Sequence, residues 1–448
     1  MSGTFLDKDV PPTLISFAIS PILATQVLTP EFKAAGHGIY LFDGKTADER
    51  KAAWEQLHEL SAAGHVKAAW AVENGLAEGV MKMSFGNGIG FKAADVEADW
   101  NLSMPGAIIA ELDCDCTALK IGETTADGNI TIGADAASVE ELCQLNDAVL
   151  EGVYPTKTPE KAIPVEPVSY TGGIVAAPAI KVAKPKAIIP VFPGTNCEYD
   201  SQRALLDAGI DAEIMVIRNL SSEDVVRSVD QFASKLRESQ LVFIPGGVSG
   251  GDEPDGSAKF ITAFFRNPAV KEEVTNLLEK RDGLMLGICN GFQALIKLGL
   301  VPYGKIIDTD ETCPTLSYNV IGRHQSKMVR VRVATNKSPW LAETEVGGIY
   351  TVPVSHGEGR FLASEELVKE LAANGQIATQ YVDLNGDPTM VTEFNPNGSI
   401  CAIEGITSPD GRVLGKMGHA ERIGKNLYRN VPGEYDMGLF RSAAKYFK

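Results

Sequence analysis

The chain has 448 residues, a length that at about 150 residues per domain predicts two or three domains. Charged residues make up 22% and hydrophobic ones 44%, an ordinary globular balance that excludes disordered and fibrous classes. The formal net charge of −17 excludes nucleic-acid binding through a general basic face, because such a surface repels phosphates. Seven cysteines and six histidines are scattered along the chain. The tightest cysteine pair, C-D-C at Cys114 and Cys116, is too close for a C-x-x-C metal knuckle, so no metal site is expected. A sparse, odd number of cysteines fits a reducing, cytoplasmic setting. No apolar run approaches roughly 18 residues and no charged-then-apolar leader opens the chain, so no membrane contact and no signal peptide are expected.

In chain order, 13–20 (TLISFAIS), 38–42 (GIYLF) and 107–112 (AIIAEL) read as strands. Apolar positions at three- and four-residue spacing predict helices at 47–63, 75–85 and 138–150. Residues 118–132 (ALKIGETTADGNITI) predict two short strands around a turn at Asp127-Gly128. Separate strand and helix blocks make 1–150 an α+β layer. Residues 151–185, rich in Pro and Lys and without helical period, read as an extended linker. From 186 to 448 the pattern becomes α/β. Strands at 187–192, 212–217, 241–244 and 283–288 alternate with helices at 197–208, 222–237, 257–265, 269–281 and 290–298. Apolar strands without alternation, separated by helices, predict a buried parallel sheet with right-handed crossovers. A β-rich tail follows from 329 to 420, and a last helix spans 438–446.

The strongest chemical signal is G-I-C-N-G-F-Q at 287–293. An apolar strand ends, Cys289 occupies the sharp turn, and a helix begins at once, the arrangement of a nucleophile elbow with Cys in place of Ser. Small flanking residues let the backbone fold back. The helix N-terminus favours a thiolate, and the Asn290 N–H points where an oxyanion forms. The plainer alternative, a buried Cys at the end of a core strand, accounts for none of these neighbours.

A thiolate nucleophile needs a proton carrier, and the carrier needs an orienting partner. His419 in G-K-M-G-H-A-E-R has Glu421 two residues on, and His356 in V-S-H-G-E-G-R has Glu358 at the same spacing. In an extended segment both pairs face one way, so the residues alone leave the choice of base open. His324, beside Arg323 and without a nearby acid, reads as structural. The Gly-rich run I-P-G-G-V-S-G-G-D-E-P-D-G at 244–256 brings backbone amides close to a ligand and offers a second oxyanion donor near Gly247 or Val248. It lacks the Lys-Ser/Thr of a phosphate loop, and Asp252, Glu253 and Asp255 oppose that use. Cys197 in F-P-G-T-N-C-E-Y-D mimics an elbow, but the adjacent Glu198 disfavours a thiolate. It reads as a decoy, with Asn196 and Glu198 as positioning or interface residues. Cys313 and Cys401 sit in no motif, and 85–90 (FGNGIG) is too loose for a dinucleotide loop.

Together, C-N-G-F-Q, P-G-G-V-S-G-G-D, S-H-G-E-G-R-F and M-G-H-A-E-R, in that order, resemble the class I (triad) glutamine amidotransferases. The P-G-T-N-C-E start and the S-H-G-E-G-R loop are similar to the glutaminase domain of the phosphoribosylformylglycinamidine synthases of purine biosynthesis. The resemblance implies a flavodoxin-like glutaminase domain over 186–448. It makes Cys289 the nucleophile, His419 the base and Glu421 its orienter. His356 and Glu358 then lie on a loop facing glutamine or a neighbouring synthase, and Gln293 and Gly247 help hold the substrate amide and oxyanion. Residues 1–150 resemble the C-terminal half of the second synthase-type (aminoimidazole ribonucleotide synthetase-like) domain of the large single-chain form. There W-A-V-E-N-G-L-A-E-G-V replaces an S-D-G-G-L loop, and Trp70 and Val72 stand where Asp and Ser belong, which argues against an auxiliary nucleotide site.

The resemblance implies glutamine as substrate and ammonia delivery to an ATP-dependent ligase step that converts formylglycinamide ribonucleotide to its amidine. ATP and magnesium belong to the complete synthase, with no cofactor on the glutaminase domain. The missing synthase domains, in the same product or a separate subunit, are the expected partner. The run from Met1 into a core-like strand is the sign of a fragment or a split subunit. Two alternatives stand beside this reading: another class I amidotransferase, or a partner-dependent module inactive alone.

Overall fold

A computed structural model describes residues 3–5, 8–10, 14–156, 158, 163–173, 177–178, 181–248 and 258–448. The chain divides into two compact units, Met1–Tyr154 and Pro155–Lys448.

The first unit is an α+β layer. Its seven-stranded sheet runs in the order Val66–Ala71, Ile108–Leu112, Gly38–Phe42, Leu119–Thr125, Gly90–Ala93, Asn129–Ile132, Asp135–Ser138. The helices Ala47–Ala62, Leu76–Phe85 and Val139–Glu151 start within a residue or two of their predicted positions. Thr46 and Glu49 form a reciprocal capping box on the first of them, satisfying two amides that would otherwise lack partners. Strands at 66–71, 90–93 and 135–138 escape the sequence pattern because Ala and Gly blur the apolar alternation.

One expectation is corrected here, and the two strands expected around Asp127-Gly128 are present. Residues 14–20 form no strand, and Leu14, Ile15, Phe17 and Ile19 are exposed; Thr13 lies outside the described residues. An apolar alternation becomes a strand only where a neighbour pairs its backbone and a core takes one face, and among the described residues neither is supplied. The strands on either side of Asp127-Gly128 exist but do not pair with each other, since Gly90–Ala93 lies between them. The Asp127 carboxylate accepts from Thr125 Oγ1 and Asn129 N, so the turn closes on a side chain rather than on a hairpin ladder.

The second unit is a mixed nine-stranded sheet. Five strands, Asp211–Val216, Lys186–Val191, Leu241–Ile244, Leu284–Ile288 and Val413–Lys416, are parallel neighbours in that order. Antiparallel strands continue it through Ile403–Thr407, Ile377–Val382, Gln325–Val333 and Ile349–His356. The parallel part is the predicted α/β core. Leu241–Ile244 and Leu284–Ile288 are buried along their whole length, as strands covered by helices on both faces must be. The chain passes outward from Lys186–Val191 to Asp211–Val216, then returns across it to Leu241–Ile244. Open α/β sheets bind ligands at the carboxyl ends of strands beside such a reversal.

The stretch read as a linker, 151–185, does not hang free of the second unit. Tyr170 N donates to Ala334 O, Val168 N to Gln380 Oε1 and Val182 N to Phe447 O. A Pro-rich segment has no helical period, yet its remaining backbone groups still seek partners, and here the sheet supplies them.

Candidate active site

Four loops meet at the carboxyl ends of four parallel strands: 192–197, 245–248, the turn at Cys289 and 417–421. Cys289 has φ 54° and ψ −107°, a region that costs a non-glycine residue about 1–3 kcal/mol. The flanking glycines make that turn feasible. A Cβ on Gly287 would lie 2.6 Å from the Gly291 carbonyl, and one on Gly291 would lie 2.0 Å from Ile244 O. The helix Asn290–Leu298 therefore sits directly on the strand ends, with the Cys289 side chain at its N-terminus. The Asn290 amide is the first of the helix and has no acceptor within it.

The Cys289 thiol lies 3.8 Å from Ser355 O, and Cys289 Cβ and His419 Cε1 both lie within 4 Å of the point where a Cβ on Gly246 would sit. His419 Nδ1 is 2.6 Å from Glu421 Oε1, and both side chains are buried. Burial pushes the His419 ring toward neutrality, but the Glu421 carboxylate, helped by Cys197 and Cys289, outweighs it and holds the ring pKa well above its ordinary value. A ring in that state carries a proton at neutral pH.

His356 has a different environment. Its Nε2 faces Asn397 Nδ2 at 3.2 Å and its Nδ1 makes no hydrogen bond among the described residues. Burial, with the like charges of His419 and His324, pushes its pKa down to about 3. A buried neutral His is protonated in the unfolded chain below about pH 6.5 but not in the folded one, so it contributes stability that is lost as pH falls from about 6.5 toward 3. His356→Gln is expected to flatten the acid side of a thermal-midpoint profile measured across that window.

The other predicted residues are placed as follows. Gln293 is a strut: its Oε1 accepts from Asn290 Nδ2 at 2.8 Å, and its Nε2 donates to Glu358 O at 2.5 Å. Both halves of its amide are thus used inside the protein. His356 and Glu358 are buried rather than on a surface open to a partner. Gly247 has φ +152°, and a Cβ there would sit 2.4 Å from Gly194 O. Val248 is exposed, and its N–H donates to Gly194 O at 2.8 Å, so that amide is committed. Residues 249–256 of the Gly-rich run lie outside the described residues.

Cys197 lies beside the histidine in space: its Sγ is 3.9 Å from His419 Nδ1. A Cβ on Gly246 would meet His419 Cε1 at 2.7 Å, Cys197 Sγ at 3.2 Å and Cys289 Cβ at 3.5 Å. One glycine therefore lets both thiols and the ring converge. The pairing with Glu198 suggested an unreactive Cys, but a side chain's setting is fixed by what the fold brings to it.

A buried ion pair escaped the sequence reading altogether. Lys416 Nζ is 3.1 Å from Glu404 Oε1. It donates to Gly418 O at 2.8 Å, while Gly418 N donates to Glu404 Oε1 at 2.5 Å. The pair thus grips both polar groups of the residue before His419, and the Lys416 carbonyl accepts from Cys289 N at 2.9 Å. Lys416→Met strands the Glu404 carboxylate and is expected to cost about 3–5 kcal/mol. The double variant Lys416→Met/Glu404→Gln is expected to recover much of that stability while keeping a lowered kcat, measured by denaturation and glutamine turnover.

Residues 184–447 match the family model of the CobB/CobQ-like glutamine amidotransferase domain. The chain belongs to this family. Curated relatives of the amidotransferase include the phosphoribosylformylglycinamidine synthase subunit PurQ of Aquifex aeolicus, 32% identical over 55% of this chain and 95% of that protein. A PurQ subunit of Thermus thermophilus is 33% identical over 57% of this chain and 97% of its own length. Among solved structures, that of PurLQS from Thermotoga maritima is 26% identical, covering 59% of this chain and all of that one with a TM-score of 0.43. The chain is a glutamine amidotransferase.

Trp70 lies on a strand and Val72 is buried, and neither side chain offers an oxygen. The fully buried Glu111 carboxylate is already taken by His37 Nδ1 at 2.6 Å and by the amides of Lys33 and Ala34. No helix among the described residues is long and apolar enough to cross a membrane.

Proposed function

We propose that this amidotransferase is the glutamine-hydrolysing part of a phosphoribosylformylglycinamidine synthase, working in the cytoplasm with Cys289, His419 and Glu421 as its triad. The observation that carries the reading is the strained Cys289 elbow facing a buried His419–Glu421 pair 2.6 Å apart. The near-full-length match to PurQ subunits supports the choice of synthase.

The Cys289 thiolate attacks the side-chain carbonyl carbon of glutamine. The carbonyl oxygen gains the negative charge and is met by the Asn290 amide at the helix N-terminus. His419, holding a proton under the influence of Glu421, gives it to the departing nitrogen, and ammonia leaves a thioester on Cys289. Water, losing its proton to His419, attacks the thioester carbonyl and releases glutamate. Ammonia then serves an ATP- and magnesium-dependent ligase step on a synthase portion, converting formylglycinamide ribonucleotide to formylglycinamidine ribonucleotide.

Partner dependence fits the same site. Because the Val248 amide is bonded to Gly194, the Gly247 amide is left as the second oxyanion donor, and engagement of the synthase that shifts this loop adds Val248. Glutamate release should be slow for the chain alone and rise when the synthase portion, ATP, magnesium and formylglycinamide ribonucleotide are added. Stimulation by a different ammonia acceptor, with none by this one, would reassign the chain to another class I amidotransferase.

A further inference from the structure

Hydrolysis as described makes no use of Cys197, yet this thiol stands inside the site. Its Sγ is 3.9 Å from His419 Nδ1, the nitrogen that also meets Glu421. One donor atom from each of Cys197, His419 and Glu421 lies within 4.8 Å of the others, and all three residues are buried. A second observation points to a ligand. The other carboxylate oxygen, Glu421 Oε2, is buried and has no hydrogen-bond partner among the described residues, whereas most buried polar atoms are satisfied. A cavity of about 400 Å³ lies beside residues 420–421, lined by Arg203, Lys425 and Tyr435 among others, while the Glu421 side chain itself is fully buried.

We propose that Cys197, His419 and Glu421 form a binding site for a zinc-class divalent cation, and that its occupancy switches the glutaminase off. One sulfur, one imidazole nitrogen and one carboxylate oxygen select zinc over magnesium or calcium, which take oxygen ligands. Three protein ligands leave a fourth position for water or for the neighbouring Cys289 thiolate. Binding releases two protons, one from the Cys197 thiol and one from His419 Nδ1, and the cation takes their place. Glu421 then serves the cation instead of orienting the ring, and the ring is left with a single proton on Nε2, whose loss would leave an imidazolate, so it no longer supplies the leaving ammonia as an imidazolium does. The inhibition rests on the glutaminase reading; the binding does not.

Cobalt(II), a spectroscopic stand-in for zinc, separates the two. The full chain is expected to show a thiolate-to-cobalt charge-transfer band that zinc competes away. The band should persist in Cys289→Ser and vanish in Cys197→Ser, which keeps the buried shape. In glutamine hydrolysis, Cys197→Ala is expected to raise the zinc concentration for half-inhibition by more than about 100-fold relative to its own metal-free rate, and a chelator should restore the inhibited wild type. A band that survives Cys197→Ser places the ion on another thiol, such as Cys114 beside His65 and Asp113, and overturns the proposal. So does equal zinc sensitivity of wild type and Cys197→Ala. A chain that binds cobalt through Cys197 but hydrolyses no glutamine even with the synthase portion and its substrates added sinks the glutaminase reading and leaves the site standing.

Discussion

Cys289→Ala is expected to lower glutamine hydrolysis on the order of 10⁶-fold, as loss of the nucleophile does in other triads. The argument is geometric. Cys289 is held at φ 54° by glycine contacts that leave no space for a Cβ at Gly287 or Gly291. The turn aims Sγ at the His419 side of the site and sets the free Asn290 amide beside it. Alanine keeps the turn and removes only the sulfur, so folding should be unchanged while no thioester forms. Ammonia-driven synthesis by the complete enzyme should survive, because ammonia added from solution bypasses Cys289. Glutamine turnover persisting in the purified variant would disprove the triad; parallel loss of ammonia-driven synthesis would show instead that the substitution damaged the fold.

Glu421→Gln is expected to lower kcat on the order of 10³–10⁴-fold while preserving shape. The carboxylate does two things at 2.6 Å from Nδ1: it orients the ring, and it outweighs a burial that disfavours the ring's charge. With an amide in its place, burial is opposed only by the two neighbouring thiols and the ring pKa drops. The alkaline limb of the kcat profile, where the imidazolium loses its proton, should therefore move to lower pH. Stability follows the same sign. A group whose folded pKa is raised contributes stability that is fully present below its unfolded value of about 6.5 and is lost as pH climbs through the folded value. The destabilisation of Glu421→Gln should be largest in mildly acidic buffer and fade in alkaline buffer. An unmoved kcat profile, or a deficit in thermal midpoint independent of pH, would mean that Glu421 is a packing residue only.

Much of this site was legible before any coordinates. A Cys between small residues at a strand–helix switch has few uses, and a His with an acid two residues on has few more. The parallel core was equally plain, because strands buried on both faces leave unbroken apolar runs such as LMLGI and LVFI. Local sequence did not choose between His419 and His356, because both carry an acid at the same spacing. The choice lies in what packs around each ring: a carboxylate on one, an asparagine and an unbonded nitrogen on the other. Gln293 was expected to hold substrate, but its two amide ends are consumed by Asn290 and Glu358, partners that no spacing rule links to it.

The chain by itself determined most of the periodic elements and the elbow at Cys289, since these follow from short-range sterics and the helix N-terminus. Only the tertiary structure decided that Cys197 joins Cys289 at one histidine, that Lys416 and Glu404 grip the peptide before it, and that Leu14–Ser20 stays unpaired. Each of these depends on segments far apart in sequence, and burial and partner choice are properties of the packed fold.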